Sequence, residues 1–141
     1  MAYITISQRQ TPCFRALIKA ESDDALFNKG TQLATQEELN AEGLVNAHPI
    51  SYSVFKTQSN LYYSTTGEAA PVTGFQNVEI NSECLIDPAD VESDELDYNF
   101  SFTPEARASW PFAEPGVYFV DFMIYPKEGA AIVWREWLTV Q

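Results

Sequence analysis

The C-terminal segment of the chain constrains the fold most strongly. It contains two runs rich in Val, Ile, Tyr, Phe and Trp, GVYFVDFMIY and AAIVWREWLTV, separated by Pro126-Lys127-Glu128-Gly129. β-Branched and aromatic residues suit a pleated, half-buried strand, proline fixes the φ needed early in a turn, and glycine tolerates a positive φ. The pattern therefore predicts a β-hairpin. Alternate residues of its first strand share one face, which we expect to line the core: Tyr118, Val120, Phe122 and Ile124.

Alternation of apolar and polar residues continues upstream and predicts strands at residues 3–7, 13–20, 50–57, 61–65, 75–86 and 96–103. The last of these is the most regular. Its predicted core face is Leu96, Tyr98, Phe100 and Phe102, and its predicted outer face is Asp97, Asn99, Ser101 and Thr103.

The 21–49 connection lacks strand patterning, and residues 67–74 have the composition of a loop. Thr35 followed by Glu38 and then Gly43 predicts a capped, short helix near 36–42. We therefore expect an all-β protein: a single antiparallel β-sandwich of seven to nine strands over 1–141, with that helix inside the connection.

Residues 98–140 resemble the last three strands of bacterial immunoglobulin-like and polycystic-kidney-disease (PKD)-type domains. The resemblance lies in FSFTP followed by FAEPGVYFVDFMIYPKEGAAIVWREWLTV, where an aromatic strand leads to a Pro-Gly-x-Tyr corner and a closing hairpin. Tyr118 occupies the position that resembles the corner tyrosine. The chain has no WDFGDG-type motif, has no cysteine in the penultimate strand, and carries the long 21–49 insertion. The resemblance implies an Ig-like sandwich of the kind that commonly binds, spaces or assembles.

Composition limits the classes of partner and compartment. The net charge is −12, and no basic residue occurs between Lys56 and Arg107, so we expect binding to neither nucleic acid nor anionic membrane. No apolar run approaches the roughly 20 residues that cross a bilayer, and the start of the chain lacks the pattern of a secretory leader, which favours a cytoplasmic protein. Cys13 and Cys84 have no metal-binding spacing and are predicted to be buried thiols.

The acidic segment 87–97 is the strongest candidate for site chemistry. Asp90, Glu92 and Asp94 have the 1-3-5 spacing of a calcium loop, and Asp87 precedes them. Position 6 is Glu95 where such a loop needs glycine, and position 12 is Ser101 where it needs glutamate. The prediction is therefore a solvated loop with no bound metal, and these four acidic residues are kept as metal candidates.

No catalytic motif is present. His48 is the single histidine, so Ser-His or Cys-His chemistry would have to involve it. The chain has neither a GxSxG elbow, nor a phosphate-binding glycine loop, nor HExxH. We therefore predict a protein that is not an enzyme and uses no cofactor.

Aromatic residues outside the predicted core face are candidates for binding: Trp110, Phe119, Tyr125 and Trp137. Left uncovered, they would form an interface or a sugar-stacking surface. Coverage by residues 21–49 or 104–115 is the alternative. A bulge at Arg135 and Glu136 would decide which of Trp134 and Trp137 is buried.

The functional hypothesis is a non-catalytic binding or assembly module that contacts a protein partner through an exposed aromatic strand face or its acidic 79–97 side. One alternative is an acidic inhibitor or immunity-type protein that binds a basic partner. Another is a calcium-stabilised or carbohydrate-binding module. Salt separates the first two, because recognition by charge weakens as salt rises and an aromatic surface is nearly indifferent.

Overall fold

The computed structural model describes residues 3–7, 11–19, 27, 33–57, 69–85, 98–104, 111–112 and 114–141. These residues are mostly β-structure, which confirms the predicted all-β class. The strands are β1 (Tyr3–Ile6), β2 (Phe14–Ala16), β3 (Ile50–Thr57), β4 (Ala69–Pro71), β5 (Val78–Glu79), β6 (Phe100–Phe102), β7 (Gly116–Ile124) and β8 (Ile132–Val140). One short helix, α1 (Gln36–Ala41), lies in the connection where a helix is predicted, and a 3-10 turn spans Ser82–Cys84.

The larger sheet has the order β1-β8-β7-β3-β4, and β5 pairs with β3 beside β4. The predicted hairpin is β7 and β8, paired without interruption from Gly116 opposite Val140 to Ile124 opposite Ile132. The bulge considered at Arg135 and Glu136 is therefore absent.

Pairing in the larger sheet is mixed rather than antiparallel throughout. β1 runs parallel to β8, with Ile4 opposite Leu138, so the antiparallel-only prediction is wrong. A parallel pair needs a long connection between its strands, and here almost the whole chain separates them. Local turn signals could not reveal a neighbour so distant in sequence.

β2 and β6 form a second, two-stranded sheet, and Leu85 bridges to Phe100 at its margin. This sheet contacts the larger one through aromatic rings. The Phe122 ring centroid is 5.4 Å from that of Phe14 and 5.2 Å from that of Phe100, both in edge-on contacts. The β7 face predicted to line the core does so, since Tyr118, Val120, Phe122 and Ile124 are all buried.

The outer-face prediction for Asn99 is wrong, because Asn99 is 0% exposed. Its Oδ1 accepts the Ile18 N–H at 2.7 Å, and its Nδ2 donates to the carbonyls of Ile18 at 2.8 Å and Phe27 at 3.3 Å. The chain bends at Asn99, and Tyr98 lies under the guanidinium of exposed Arg15 at 4.5 Å instead of joining Phe100 in the core.

Several strand boundaries also differ from prediction. β2 is shorter than the strand predicted over 13–20. The backbone N–H and carbonyl of Ile18 form hydrogen bonds with the Asn99 side chain rather than with a neighbouring strand. Residues 69–71 form β4 where a loop is predicted, and Pro71 is tolerated there because it lies on an edge strand. The predicted strand at 61–65 and the core position of Leu96 lie outside the described residues.

Candidate functional site

One end of the larger sheet gathers several connecting segments. There Ile50, Ile124 and Ile132 lie side by side on β3, β7 and β8. We call this the hairpin end and define it by four segments: 33–50, 79–85, 124–126 and the turn 127–131. At the far end, Lys56 lies opposite Tyr118. The two ends are about 20 Å apart, because Lys56 follows Ile50 by six residues on one strand and each strand residue rises about 3.3 Å.

Local sequence signals build α1 at the hairpin end. The Glu38 N–H donates to the Thr35 hydroxyl while the Glu38 carboxylate accepts the Thr35 N–H, which is a capping box. This bond from the Thr35 backbone is the main cause that lowers the pKa of Glu38. At the other end Gly43 takes a φ of 87°. Its N–H donates to Asn40 and the Leu44 N–H donates to the Leu39 carbonyl, which is a Schellman motif.

Backbone hydrogen bonds hold the helix connection against the β7–β8 turn. The Ala34 N–H donates to the Tyr125 carbonyl at 3.0 Å, and the Tyr125 N–H donates to the Pro49 carbonyl at 2.9 Å. Across this seam, Lys127 Nζ lies 3.7 Å from Glu38 Oε1, with both side chains about two-fifths exposed. Such an exposed pair contributes little stability, but it offsets the charge of one of the local carboxylates.

A cleft of about 660 Å³ opens between these segments. Leu33, Pro49, Ile50 and Ile80 contribute apolar groups to its lining. The polar groups come from Thr35, Glu79, Asn81, Ser82 and Lys127. Binding sites for drug-sized molecules typically measure roughly 300–1,000 Å³, so this cleft has the size to receive several side chains of a partner.

Glu79 lines the cleft, and His48 approaches its carboxylate. His48 Nδ1 lies 3.8 Å from Glu79 Oε2, beyond hydrogen-bond distance, and it has no hydrogen-bond partner. Asn77, at a positive φ of 52°, donates from Nδ2 to the Asn46 carbonyl at 2.8 Å. This bond joins the His48 loop to the segment that carries Glu79.

Charge at the hairpin end is strongly one-sided. Among lysines and arginines, only Lys127 belongs to the four segments. The carboxylates in the same segments are Glu37, Glu38, Glu42, Glu79, Glu83 and Glu128. Glu37, Glu38, Glu42, Glu79 and Glu83 are exposed, so this end presents negative charge to solvent.

The predicted aromatic surface is not open to solvent. Phe119 and Trp137 lie on the outer face of the larger sheet, but each is only 4% exposed, so they are covered and form no open surface. The Phe119 ring stacks on Phe55 at 4.9 Å and contacts Trp137 at 5.1 Å. The Arg135 guanidinium lies 3.9 Å from the centre of the Phe119 ring. Phe119 and Trp137, together with Val117 and the adjoining Phe55, form a second apolar cluster on the outer face of the larger sheet.

The remaining aromatic and metal candidates have different outcomes. Tyr125 is partly exposed at the hairpin end, while Trp110 lies outside the described residues. Trp134 stacks on Phe122 on the core side and is more exposed than Trp137. The four metal candidates, Asp87, Asp90, Glu92 and Asp94, also lie outside the described residues. Within the part of the chain that the structure describes, no group of His, Cys, Asp or Glu could hold a metal ion.

Both cysteines are free thiols, but only Cys84 is buried. The prediction of burial is wrong for Cys13, which is exposed and lies 3.7 Å from the Ser101 hydroxyl. Hydrogen bonding to Thr103 is the main cause that lowers the pKa of the Cys13 thiol, with Ser101 and Arg15 adding to it.

Glu136 is an unexpected acidic group in the β8 face that packs on the core. It lies between Trp134 and Leu138 by strand alternation, opposite Val120, and is 8% exposed. Its Oε2 has no hydrogen-bond partner. Burial raises the pKa of this carboxyl above its usual range.

Sequence reasoning missed Lys127, Glu79 and the 79–82 wall as parts of one site. Lys127 was visible only as a turn residue, and no spacing in the sequence connects it to α1. No helix among the described residues is long and apolar enough to span a membrane. No family model, curated protein or solved structure matches the chain.

Proposed function

We propose that this protein is a non-catalytic binding or assembly module with an Ig-like sandwich fold, and that its hairpin end recognises a positively charged protein. One observation carries the proposal: the four segments of the hairpin end contain six glutamates and a single lysine, and they enclose a cleft of about 660 Å³ that Glu79 and Lys127 line. A basic partner would meet complementary charge at the same place where the surface is concave.

Two observations support the Ig-like assignment. The two sheets pack face to face through Phe14, Phe100 and Phe122. The Tyr118 hydroxyl donates to the Glu114 carbonyl at 2.8 Å, four residues upstream, as a corner tyrosine does at the start of its strand. In sandwiches of this type the loops at one end form the binding surface, which agrees with a site at the hairpin end. We assign the whole of 1–141 to this one domain.

Electrostatics gives the proposal a kinetic consequence. A net charge of −12 steers a basic protein toward the chain over a distance of about 10 Å at 0.1 M salt. Complementary charge acts mainly on the association rate and on the choice of partner. The acidic-inhibitor class is therefore included in the proposal, as the case in which the basic partner is an enzyme.

We base the non-catalytic role on the lack of a catalytic motif in the sequence. His48 faces Glu79, Cys13 contacts Ser101 beside β6, and Cys84 belongs to the buried core. The two free thiols also support a reducing, cytoplasmic setting.

A fluorescein-labelled hexalysine peptide tests the location of the site by anisotropy. We expect binding at 20 mM NaCl that weakens at least ten-fold at 200 mM. Glu79→Gln, at the hairpin end, should weaken binding about three-fold, the scale of one exposed ion pair. Glu114→Gln is the matched control, because it also removes one carboxylate charge but lies at the far end beside Lys56.

Equal weakening by the two variants would place the binding charge elsewhere and refute the assignment of the site. An affinity for the peptide that is the same at 20 mM and 200 mM NaCl would refute recognition by charge. The sugar-stacking alternative predicts that the protein binds an oligosaccharide with an affinity that does not depend on salt. The burial of Phe119 and Trp137 removes two of the aromatic rings on which a sugar could stack.

A further inference from the structure

β1 is an edge strand of the larger sheet, and β8 is its neighbour there among the described strands. It has four residues and runs parallel to β8, a pairing that is slightly less stable per residue than an antiparallel one. On its other side, β8 pairs with β7 along all of its nine residues. Of the two contacts that hold β8 in the sheet, the one with β1 is therefore the easier to open.

β1 covers the core along this edge. Ile4 lies beside Leu138, and Ile6 lies beside Val140. Ile6, Leu138 and Val140 are all buried. The Gln141 N–H donates to the Ile6 carbonyl at 2.9 Å, which continues the contact past the end of β8. Detachment of β1 would bring water to this side of β8.

A buried carboxylate faces the core from β8 beside this contact. Glu136 shares the face of Leu138, two residues along the strand, and is therefore a diagonal neighbour of Ile4. It is 8% exposed, and its Oε2 has no hydrogen-bond partner. Within the described ranges, no lysine or arginine forms an ion pair with it. An ionised carboxylate that is kept from water without such partners is costly, so the ionised form of Glu136 favours any opening that hydrates it.

The strand register gives the neighbours of Glu136 on the core face: Trp134, Leu138, Val120, Phe122, Tyr118 and Ile4. Tyr118 is the one titratable residue of these six. Burial raises the pKa of its phenol, so it stays neutral over the range in which carboxyls titrate. Lys56, whose Nζ lies 5.6 Å from the centre of the Tyr118 ring, is paired with Glu114.

The second sheet presents aromatic rings to this region. Phe14 contacts Phe122 on β7, and Phe100 contacts Trp134 on β8, whereas Arg15, the charged residue of β2, is exposed. The positive charge of the α-amino group lowers the pKa of the Glu136 carboxyl, but burial is the larger effect and raises it.

We propose that Glu136 and β1 form a pH-sensitive latch, in which ionisation of Glu136 detaches β1 from β8 and protonation closes it again. Water reaches the carboxylate through the weaker side of β8 while the β7–β8 ladder stays paired. Detachment leaves one edge of β8 without its strand partner and uncovers Leu138 and Val140. Such an edge accepts an extended segment of another chain, so pH controls access to it.

The direction of the effect follows from the two environments of the carboxyl. In the closed sheet, burial raises the pKa of Glu136, and after detachment water restores the ordinary pKa. Opening therefore becomes easier as pH rises from the ordinary pKa to the raised one. The opening equilibrium changes about ten-fold for each unit of difference between the two pKa values.

Amide hydrogen exchange followed by NMR tests the latch, with rates expressed as protection factors to remove the intrinsic effect of pH. From pH 4 to pH 7.5, protection of the β1 amides that donate to β8, and of the Gln141 amide, should fall by at least about ten-fold. Protection of Val120 and Phe122, in the middle of β7, should fall by a smaller factor. Glu136→Gln should remove the fall at β1, because the amide is neutral at both pH values. Glu128→Gln is the matched control and should keep the fall, because Glu128 is an exposed carboxylate in the turn of the same hairpin.

A fall of equal size at β1 in Glu136→Gln and in the wild type would overturn the latch, since other carboxyls would then cause it. Equal falls at β1 and at Val120 and Phe122 would also overturn it, because Glu136 would then act on global unfolding. Absence of protection at β1 at pH 4 would show that no closed state exists to be opened. Each of these results would leave recognition at the hairpin end standing.

Discussion

Replacing Asn99 by alanine should destabilise the protein more than its polar nature suggests. Asn99 is fully buried and ties β6 to the chain leaving β2, through Ile18 and Phe27. The Ile18 carbonyl also accepts the Phe27 N–H at 3.0 Å, so it keeps a partner in the variant. The Ile18 N–H loses the 2.7 Å bond to the Asn99 side chain.

The magnitude follows from these contacts. Leaving one buried donor unsatisfied costs about 1–3 kcal/mol. The weaker 3.3 Å bond to Phe27 and the space left by the side chain add about 1 kcal/mol. We therefore expect a loss of about 3 kcal/mol in the free energy of unfolding, equivalent to a fall in Tm of about 6–12 °C for a chain of this size.

Urea unfolding followed by tryptophan fluorescence measures this loss. Asn40→Ala is the matched control: Asn40 is exposed on α1 and its replacement should change stability by less than about 0.5 kcal/mol. Asn99→Asp adds a pH signature. The ionised carboxylate places an oxygen, which cannot donate a hydrogen bond, against the Ile18 and Phe27 carbonyls that the Asn99 amide donates to. Relative to the wild type, the variant should therefore be less stable at pH 7 than at pH 4. A loss below 1 kcal/mol for Asn99→Ala, or one equal to that of Asn40→Ala, would refute the reasoning.

Three further predictions concern stability and reactivity. Tyr118→Phe removes the hydroxyl bond to the Glu114 carbonyl and should lower stability by about 1 kcal/mol in urea unfolding; an unchanged midpoint would contradict a structural corner. Because burial raises the pKa of folded Glu136, its folded state binds the proton more tightly, and stability should fall as pH rises from the ordinary carboxyl pKa to the raised one. Glu136→Gln should therefore raise Tm by about 2–4 °C at pH 7.5, which corresponds to about 1 kcal/mol, and should barely change Tm at pH 4. Equal gains in Tm at both pH values would contradict a raised pKa for this carboxyl. Iodoacetamide should modify exposed Cys13 at least about ten-fold faster than buried Cys84 in the native protein. Peptide mapping by mass spectrometry measures both rates, and equal rates would contradict the burial difference.

Sequence patterns predicted the elements whose cause is local. The hairpin followed from strand composition and from Gly129, which has a φ of 96°. α1 followed from Thr35, Glu38 and Gly43, whose predicted capping interactions are all present. In both cases the residues that specify the structure lie within a few positions of one another, so the pattern contains the whole cause.

Features that depend on distant contacts could not be predicted in this way. Asn99 alternates with apolar residues as an outward-facing residue would, yet it is buried because the Ile18 backbone, 81 residues away, needs its amide. Phe119 belongs to the outer face, as alternation requires, but Phe55 and Arg135 cover it. The site was missed for the same reason, since Lys127 and Glu38 approach each other only in the folded chain.

The most direct test of recognition at the hairpin end is a map of backbone amide shifts during titration with the hexalysine peptide. A saturable set of shifts should concentrate in residues 33–50, 79–85 and 124–131 and shrink at 200 mM NaCl. Amides near Gly116 and Val140, at the far end, should not move. Shifts centred on the far end, or spread evenly over the acidic surface, would contradict a defined site at the hairpin end.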